Sequence, residues 1–245
     1  MLVNIRSDKR HPASNLQFKI LSDTSTEMAR QKKNGAQPDP LVLPEWALGA
    51  MRPVVRTLSR VLWRVRFSGL ENIPAEGGVI IASNHQTYID PFWVSIPIKR
   101  PIRYLAWNES FDWPIVGRLM GLFGAWPLKL EKSDPTAIRR SLQWLREGGA
   151  IYIFPEGGRC QSDGELMRFK NGAVRLALEA NVPILPVTIR GGHRVWPRGY
   201  RLPRFTRVEI IFHTLQTITP EPSEDARLRV RRETDRLAEI IGSAL

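Results

Sequence analysis

After Gly77-Gly78 the chain alternates short apolar runs with longer amphipathic ones, and this alternation restricts the fold more than any other property of the sequence. Val79–Ser83, Ile102–Trp107, Gly124–Leu128, Ala150–Phe154, Ile184–Ile189 and Arg207–His213 read as strands. Pro91–Ile96, Trp113–Leu122, Asp134–Glu147, Arg168–Ala180 and Ser223–Ile241 read as helices. Several strand runs are apolar at successive positions, so both of their faces need cover. The expectation is an α/β fold: a mixed, mostly parallel sheet covered by helices on both faces. The last helix is expected to start at Ser223 as its cap, with acids in its first turn.

Two of the strand runs end abruptly in polar residues. Val79–Ser83 gives way to Asn84-His85-Gln86-Thr87-Tyr88-Ile89-Asp90-Pro91. An Asp followed by Pro is a helix-start signature, so Asp90 is expected as N-cap of the next helix. One carboxylate oxygen would then cap and the other hold a nitrogen of His85, leaving the second ring nitrogen to take a proton from a hydroxyl. The alternative is a surface histidine beside an ordinary cap. Ala150–Phe154 gives way to Pro155-Glu156-Gly157-Gly158-Arg159. Glycines let backbone N–H groups approach a ligand, and an arginine beside them suits a phosphate or carboxylate; the plainer reading is a turn with a solvated Arg159. In open α/β sheets, ligands sit beyond the carboxyl ends of strands, so the two islands would meet there if their strands are parallel.

Upstream, residues 1–43 mix charged and small polar residues without a sustained period and read as a disordered tail. Residues 44–69 read as an amphipathic basic helix or helix pair, with Pro53 splitting or kinking it. Arg52, Arg56, Arg60 and Arg64 form one stripe, with Met51, Val54, Leu58, Val61, Leu62 and Val65 opposite. Such a helix can pack its apolar face on the domain, or lie in a membrane interface with Trp46 or Trp63 as anchors.

A net charge of +12 implies an anionic partner: nucleic acid, anionic lipid headgroups or a phosphorylated substrate. The segment from His193 to Arg207 interleaves arginines with Trp, Tyr and Phe, which suits single-stranded nucleic acid, a membrane surface or the phosphates of a CoA donor. No finger spacing or other nucleic-acid signature is present. The single cysteine, Cys160, fits a reducing compartment. No apolar run is long enough to span a bilayer, and the first twenty residues are too charged for a signal peptide. His11, His193 and His213 lack neighbours at metal-ligand spacing.

The motifs as an ordered set are more specific than any one of them. Asn84-His85-Gln86-Thr87-Tyr88-Ile89-Asp90, Phe154-Pro155-Glu156-Gly157-Gly158-Arg159 and Val182-Pro183-Ile184-Leu185-Pro186-Val187 resemble the first, third and fourth motifs of the PlsC-type glycerolipid acyltransferases, the 1-acyl-glycerol-3-phosphate acyltransferase family. Phe169-Lys170-Asn171-Gly172-Ala173 is similar to a segment that follows the third motif there. The resemblance covers roughly Leu70 to His213 and makes residues 70–245 an acyltransferase domain.

It implies transfer of a fatty acyl group from an acyl-CoA or acyl carrier protein thioester to a lysolipid hydroxyl, with 1-acyl-glycerol-3-phosphate as first choice of acceptor, giving phosphatidic acid. His85 would be the general base and Asp90 its orienting partner. Asn84, Glu156, Gly157, Gly158, Arg159 and Lys129 would bind substrate, with backbone N–H groups near Gly157-Gly158 as oxyanion donors. No cofactor beyond the thioester co-substrate and no nucleic acid is expected. The partners would be the two substrates and an anionic membrane surface, and the place of action the cytoplasmic side of the membrane, peripherally bound.

The second motif departs from the family pattern: Leu130 stands where an arginine is common, with Lys129 before it, and Trp107 lies in a run where relatives often carry a lysine. These changes leave open a different lysolipid acceptor, with Trp107 or Trp126 facing an apolar or sugar-like group. They also leave open a non-catalytic basic protein that binds membrane or nucleic acid on the same fold.

Overall fold

The computed structural model describes residues 42–113, 115–129, 134–160, 164–197, 199–218 and 225–245. The expected disordered tail, apart from its last two residues, lies outside the described residues.

The strands are β1 Arg66–Ser68, β2 Val79–Ser83, β3 Ile102–Trp107, β4 Ala125–Leu128, β5 Ala150–Ile153, β6 Ile184–Arg190 and β7 Glu209–Phe212. They form one seven-stranded sheet in the order β1-β7-β6-β2-β5-β3-β4. Strands β2 to β6 are mutually parallel, β7 runs antiparallel to β6, and β1 pairs parallel with β7. The helices are α1 Glu45–Trp63, α2 Asp90–Ser95, α3 Val116–Leu122, α4 Pro135–Arg146, α5 Gly172–Ala180, α6 Gly192–Val195 and α7 Ala226–Gly242.

The mixed, mostly parallel sheet covered on both faces is thus the architecture observed. On one face Ile80, Ile151, Ile153 and Ile184 pack against Leu145 of α4, Val174 and Ala177 of α5, and Leu237 and Ile241 of α7. On the other, Val79, Ile81, Tyr152, Leu185 and Ile189 pack against Trp93 and Val94 of α2, with Val55 and Trp63 of α1 at the margin. β2 is buried at all five positions, which is why it has no polar residue until the strand ends. Burying a side chain such as Ile80, fully enclosed here, contributes about 1.5–3 kcal/mol.

Several expectations change at element ends. Helix α1 runs unbroken through Pro53. Proline removes one donor, but the carbonyl left without it belongs to Gly49, which is exposed and open to solvent. Strand β1 was not expected: it has three residues, two of them exposed, and brings the sheet forward of residue 70. Helix α7 is capped by Asp225, which accepts the N–H groups of Arg227 and Leu228 at 2.8 and 3.1 Å, so it has no acid in its first turn; Ser223 lies outside the described residues. Helix α5 begins at Gly172 rather than Arg168, because Lys170 N–H is drawn to the Pro155 carbonyl at 2.8 Å. Helix α3 begins at Val116, after a 3-10 turn at Asn108–Asp112.

Helix α1 has three sectors rather than two. Val55, Ser59 and Trp63 face the protein, and Trp63 meets Trp93 edge-on at 5.5 Å. Arg56 and Arg60 are exposed. Of the apolar stripe read from the sequence, Met51, Val54, Leu58 and Val61 face out, whereas Leu62 is half-buried and Val65 buried. No described helix is long and apolar enough to cross a membrane.

Candidate active site

Strands β5 and β6 flank β2, all three parallel, with Ala82 level with Ile153 and Pro186. The two polar islands, residues 84–90 after β2 and 155–159 after β5, therefore emerge side by side at the carboxyl edge of the sheet. The condition set by the sequence, parallel strands, is met.

Asp90 is fully buried, and its Oδ2 accepts three hydrogen bonds: from His85 Nδ1–H at 2.9 Å, Gln86 N–H at 2.6 Å and Thr87 N–H at 2.8 Å. Its Oδ1 has no partner among the described residues. The expected cap is therefore corrected. Asp90 is the first residue of α2, Ile89 stands at the cap position, and the carboxylate turns back to the loop instead of forward to the helix. One oxygen does all the holding. A carboxylate only accepts, so Nδ1 carries the ring proton and Nε2 keeps a lone pair. The imidazole stacks on Phe154, the residue just before the other island, with centroids 3.8 Å apart.

The loop is tied down from every side. Asn84 grips the backbone of Ile189 in both directions, its Oδ1 accepting the N–H at 2.7 Å and its Nδ2 donating to the carbonyl at 2.9 Å. Glu156 accepts His85 N–H on Oε1 at 2.8 Å and Met167 N–H on Oε2 at 3.2 Å. Burial pushes its carboxyl up to about 7, with the two N–H donors pulling down and Asp90 pushing further up. Asn84 and Glu156 thus spend their polar atoms inside the protein. Cys160 N–H donates to the His85 carbonyl at 2.8 Å, and the thiol is buried. Beneath, Ser83 Oγ donates to the Asn84 carbonyl at 2.9 Å, so the Tyr152 hydroxyl is the donor in its 2.6 Å bond to Ser83. Burial, with Asp90 nearby, holds that phenol well above its ordinary range and keeps it protonated.

From Gly157 onward the second island is partly exposed. Gly157 takes φ +69, a conformation that favours glycine, and a Cβ there would stand 2.6 Å from Lys170 Nζ, the mobile end of that side chain. Its N–H donates to the Phe154 carbonyl at 3.0 Å; the Gly158 N–H has no such bond among the described residues, and a Cβ there would meet open space. The Arg159 guanidinium lies 4.0 Å over the ring of Tyr88, three residues from His85. The exposed Lys170 adds a second cation beside Gly157, and sequence reasoning, which noted its motif, gave it no role. Lys129 is exposed at the end of edge strand β4, three strand spacings or roughly 14 Å from β2; Leu130 lies outside the described residues. Trp126 is buried in the core beneath Arg140, whose guanidinium is 4.1 Å from its ring, whereas Trp107 is half exposed at the end of β3. Among the described residues no group of three or more His, Cys, Asp and Glu has the arrangement of a metal site.

The model of the acyltransferase family matches residues 64–190, just over half of the chain. The chain belongs to this family. A 1-acyl-sn-glycerol-3-phosphate acyltransferase of Bacillus subtilis is 31% identical over 139 residues, covering 55% of this chain and 68% of that protein. A chloroplastic 1-acyl-sn-glycerol-3-phosphate acyltransferase of Arabidopsis thaliana is 30% identical over 140 residues, covering 56% of this chain; the chain spans 39% of that relative's length. The crystal structure of the 1-acyl-sn-glycerophosphate acyltransferase PlsC from Thermotoga maritima superposes with a TM-score of 0.64 at 22% identity, over 82% of this chain and 81% of that one. The fold is shared with this acyltransferase, and the PlsC-type resemblance read from three motifs agrees with these matches.

Proposed function

We propose that the chain transfers an acyl group from an acyl-CoA or acyl carrier protein thioester to the free hydroxyl of 1-acyl-sn-glycerol-3-phosphate, working peripherally on a membrane. One observation carries this reading: Asp90 holds the Nδ1–H of His85 at 2.9 Å, leaving Nε2 available as a base beside the outward-facing glycines and Arg159.

An alcohol has too high a pKa to attack unaided, so His85 Nε2 removes its proton as the oxygen adds to the thioester carbonyl. Asp90 steadies the imidazolium that forms. The Gly158 N–H is the donor left for the tetrahedral oxyanion, since that of Gly157 is spent on its turn. Collapse breaks the carbon–sulfur bond, and the thiolate takes the proton back from His85. Arg159, with Lys170 beside it, receives the acceptor's phosphate. No cofactor beyond the thioester enters the scheme. Peripheral attachment is supported by the outward apolar face of α1 with its flanking arginines. The Trp107 ring at the sheet edge favours, as a second reading, a lysolipid with another headgroup.

Release of free thiol from acyl-CoA, followed with a thiol reagent across a panel of lysolipids, tests the proposal. Turnover with 1-acyl-glycerol-3-phosphate is expected. Turnover only with another lysolipid selects the second reading, and none with any acceptor and either donor overturns both.

A further inference from the structure

We propose that residues 200–205, in the connection between β6 and β7, are a second lipid-inserting element, contiguous with the apolar face of α1 and seated on an anionic bilayer beside the acceptor site. This rests on the acyltransferase reading and names the surface that delivers the acceptor.

Topology brings these parts to one edge. β6 ends at Arg190 at the same sheet edge as β2 and β5, and β7, antiparallel to it, starts there with Glu209 paired to Arg190. β1 starts at Arg66, level with Glu209, so the carboxyl end of α1 arrives at that edge as well. The connection is fastened at both ends by indole rings, one on α1 and one of its own. At the α1 end, Trp63 Nε1–H donates to the Arg204 carbonyl at 3.0 Å, and the Arg204 guanidinium lies 3.9 Å over Tyr200. At the site end, Trp196 Nε1–H donates to the Tyr200 carbonyl at 2.8 Å and its ring meets Tyr88 edge-on at 6.0 Å. Tyr88 is the ring under Arg159.

Fastened in this way, the connection still presents apolar side chains to the outside. Leu202 is 76% exposed and Phe205 75%, as far out as Trp46 at 77% and Val61 at 71% on α1. Val61 and Leu62 line an open groove of about 400 Å³ with Phe205, and Arg64, Thr206 and Arg207 line the rest of it, so the two surfaces adjoin with arginines between them. A solvated loop has no use for Leu and Phe held outward on a fixed frame; a lipid surface does.

Charge selects the occupant. From His193 to Val208 the sequence has five arginines and no acidic residue, and Glu209, the first acid after it, is taken by Arg190 and Arg207. Arg56, Arg60 and Arg201 are exposed around the apolar patch. A second copy of the chain would bring another +12. Residues 1–41, with seven basic and four acidic side chains, carry the same sign. Phosphate headgroups complement it.

The test uses the full chain and vesicles of phosphatidylcholine with or without phosphatidylglycerol. Leu202→Glu/Phe205→Glu should require at least tenfold more anionic lipid for half-binding, while turnover on lysolipid presented in detergent micelles stays within twofold of the parent. Vesicle binding equal to the parent overturns the proposal. Because a double substitution can disturb folding, Leu202→Cys carrying an environment-sensitive dye supplies a second readout, Cys160 being buried. Its emission should shift to the blue with anionic vesicles and stay put with phosphatidylcholine alone. No shift with anionic vesicles, or a shift that follows protein concentration without lipid, overturns the proposal, the second outcome marking a contact between copies. Failure of the parent to turn over any micellar acceptor would instead sink the enzymatic reading, whatever the vesicles show.

Discussion

The loop carrying His85 and the connection carrying Phe205 leave the same edge of one sheet and are built in opposite ways. Residues 84–90 are held by many internal bonds: Asn84 on Ile189, Asp90 Oδ2 on three donors, and the His85 N–H on Glu156. In the connection carrying Phe205 the backbone is fastened by Trp63 and Trp196, but the side chains at 202 and 205 stand largely exposed. A group that must present one lone pair in one direction is held by many bonds. A group that must meet a fluid surface needs a firm base and a free end. If this contrast is right, substitutions in the first loop cost rate, and substitutions in the second cost attachment.

The largest expected effect is at the base. His85→Ala should lower turnover by roughly 10²- to 10⁴-fold, with a melting temperature within a few degrees of the parent, since Asp90 keeps its two backbone donors. Near-parental turnover would remove the base assignment. At Asp90 the geometry separates folding from rate. The oxygen of Asp90→Asn can accept all three bonds of Oδ2, while the new amide falls where Oδ1 already lacks a partner. That variant should fold and lose rate. Asp90→Ala strands the N–H groups of Gln86 and Thr87, at about 1–3 kcal/mol for each buried orphan. Urea denaturation of the two variants in parallel reads the difference, and equal stabilities would mean that the triple bond to Oδ2 is not what fixes the loop.

Much of this was legible in the sequence because apolar runs buried on both faces leave little choice. Val79–Ser83 and Ala150–Ile153 announce a parallel sheet, and the place where each run turns polar marks the site. What was not legible is direction. Asn84 and Glu156 sit in motifs of polar residues, and nothing in their identity says that both amide ends of one and both oxygens of the other are spent on backbone. Likewise a helical period reveals the apolar stripe of α1, but which sector packs is set by Trp63 meeting Trp93, a contact thirty residues apart in the chain. β1 escaped because three residues, Arg66-Phe67-Ser68, carry no pattern; the strand exists only because β7 offers it an edge.

A pH dependence follows from Glu156. Its carboxyl titrates near 7 in the fold and near 4.3 in an unfolded chain, so between these values the folded state holds the extra proton. Stability from this group is fully present below the lower value and is lost as pH rises toward and through 7. Glu156→Gln cannot ionise, and its melting temperature should vary less between pH 5 and 8 than that of the parent. An unchanged slope would assign the dependence to another group.

The smallest effect tests a place where rings of the two regions touch. Tyr88 belongs to the His85 loop, yet its ring carries Arg159 on one side and meets Trp196 of the connection on another. A cation–π contact of this kind contributes about 0.5–1 kcal/mol when exposed, which is a twofold to fivefold change in an equilibrium. Tyr88→Phe keeps a ring and should leave the acceptor's KM nearly unchanged. Tyr88→Leu removes the ring, so KM for a phosphate-bearing lysolipid should rise by that factor, with kcat and the KM of the thioester donor held. A fall in kcat in both variants would place the hydroxyl in the chemistry and break the division between the loop that reacts and the surface that docks.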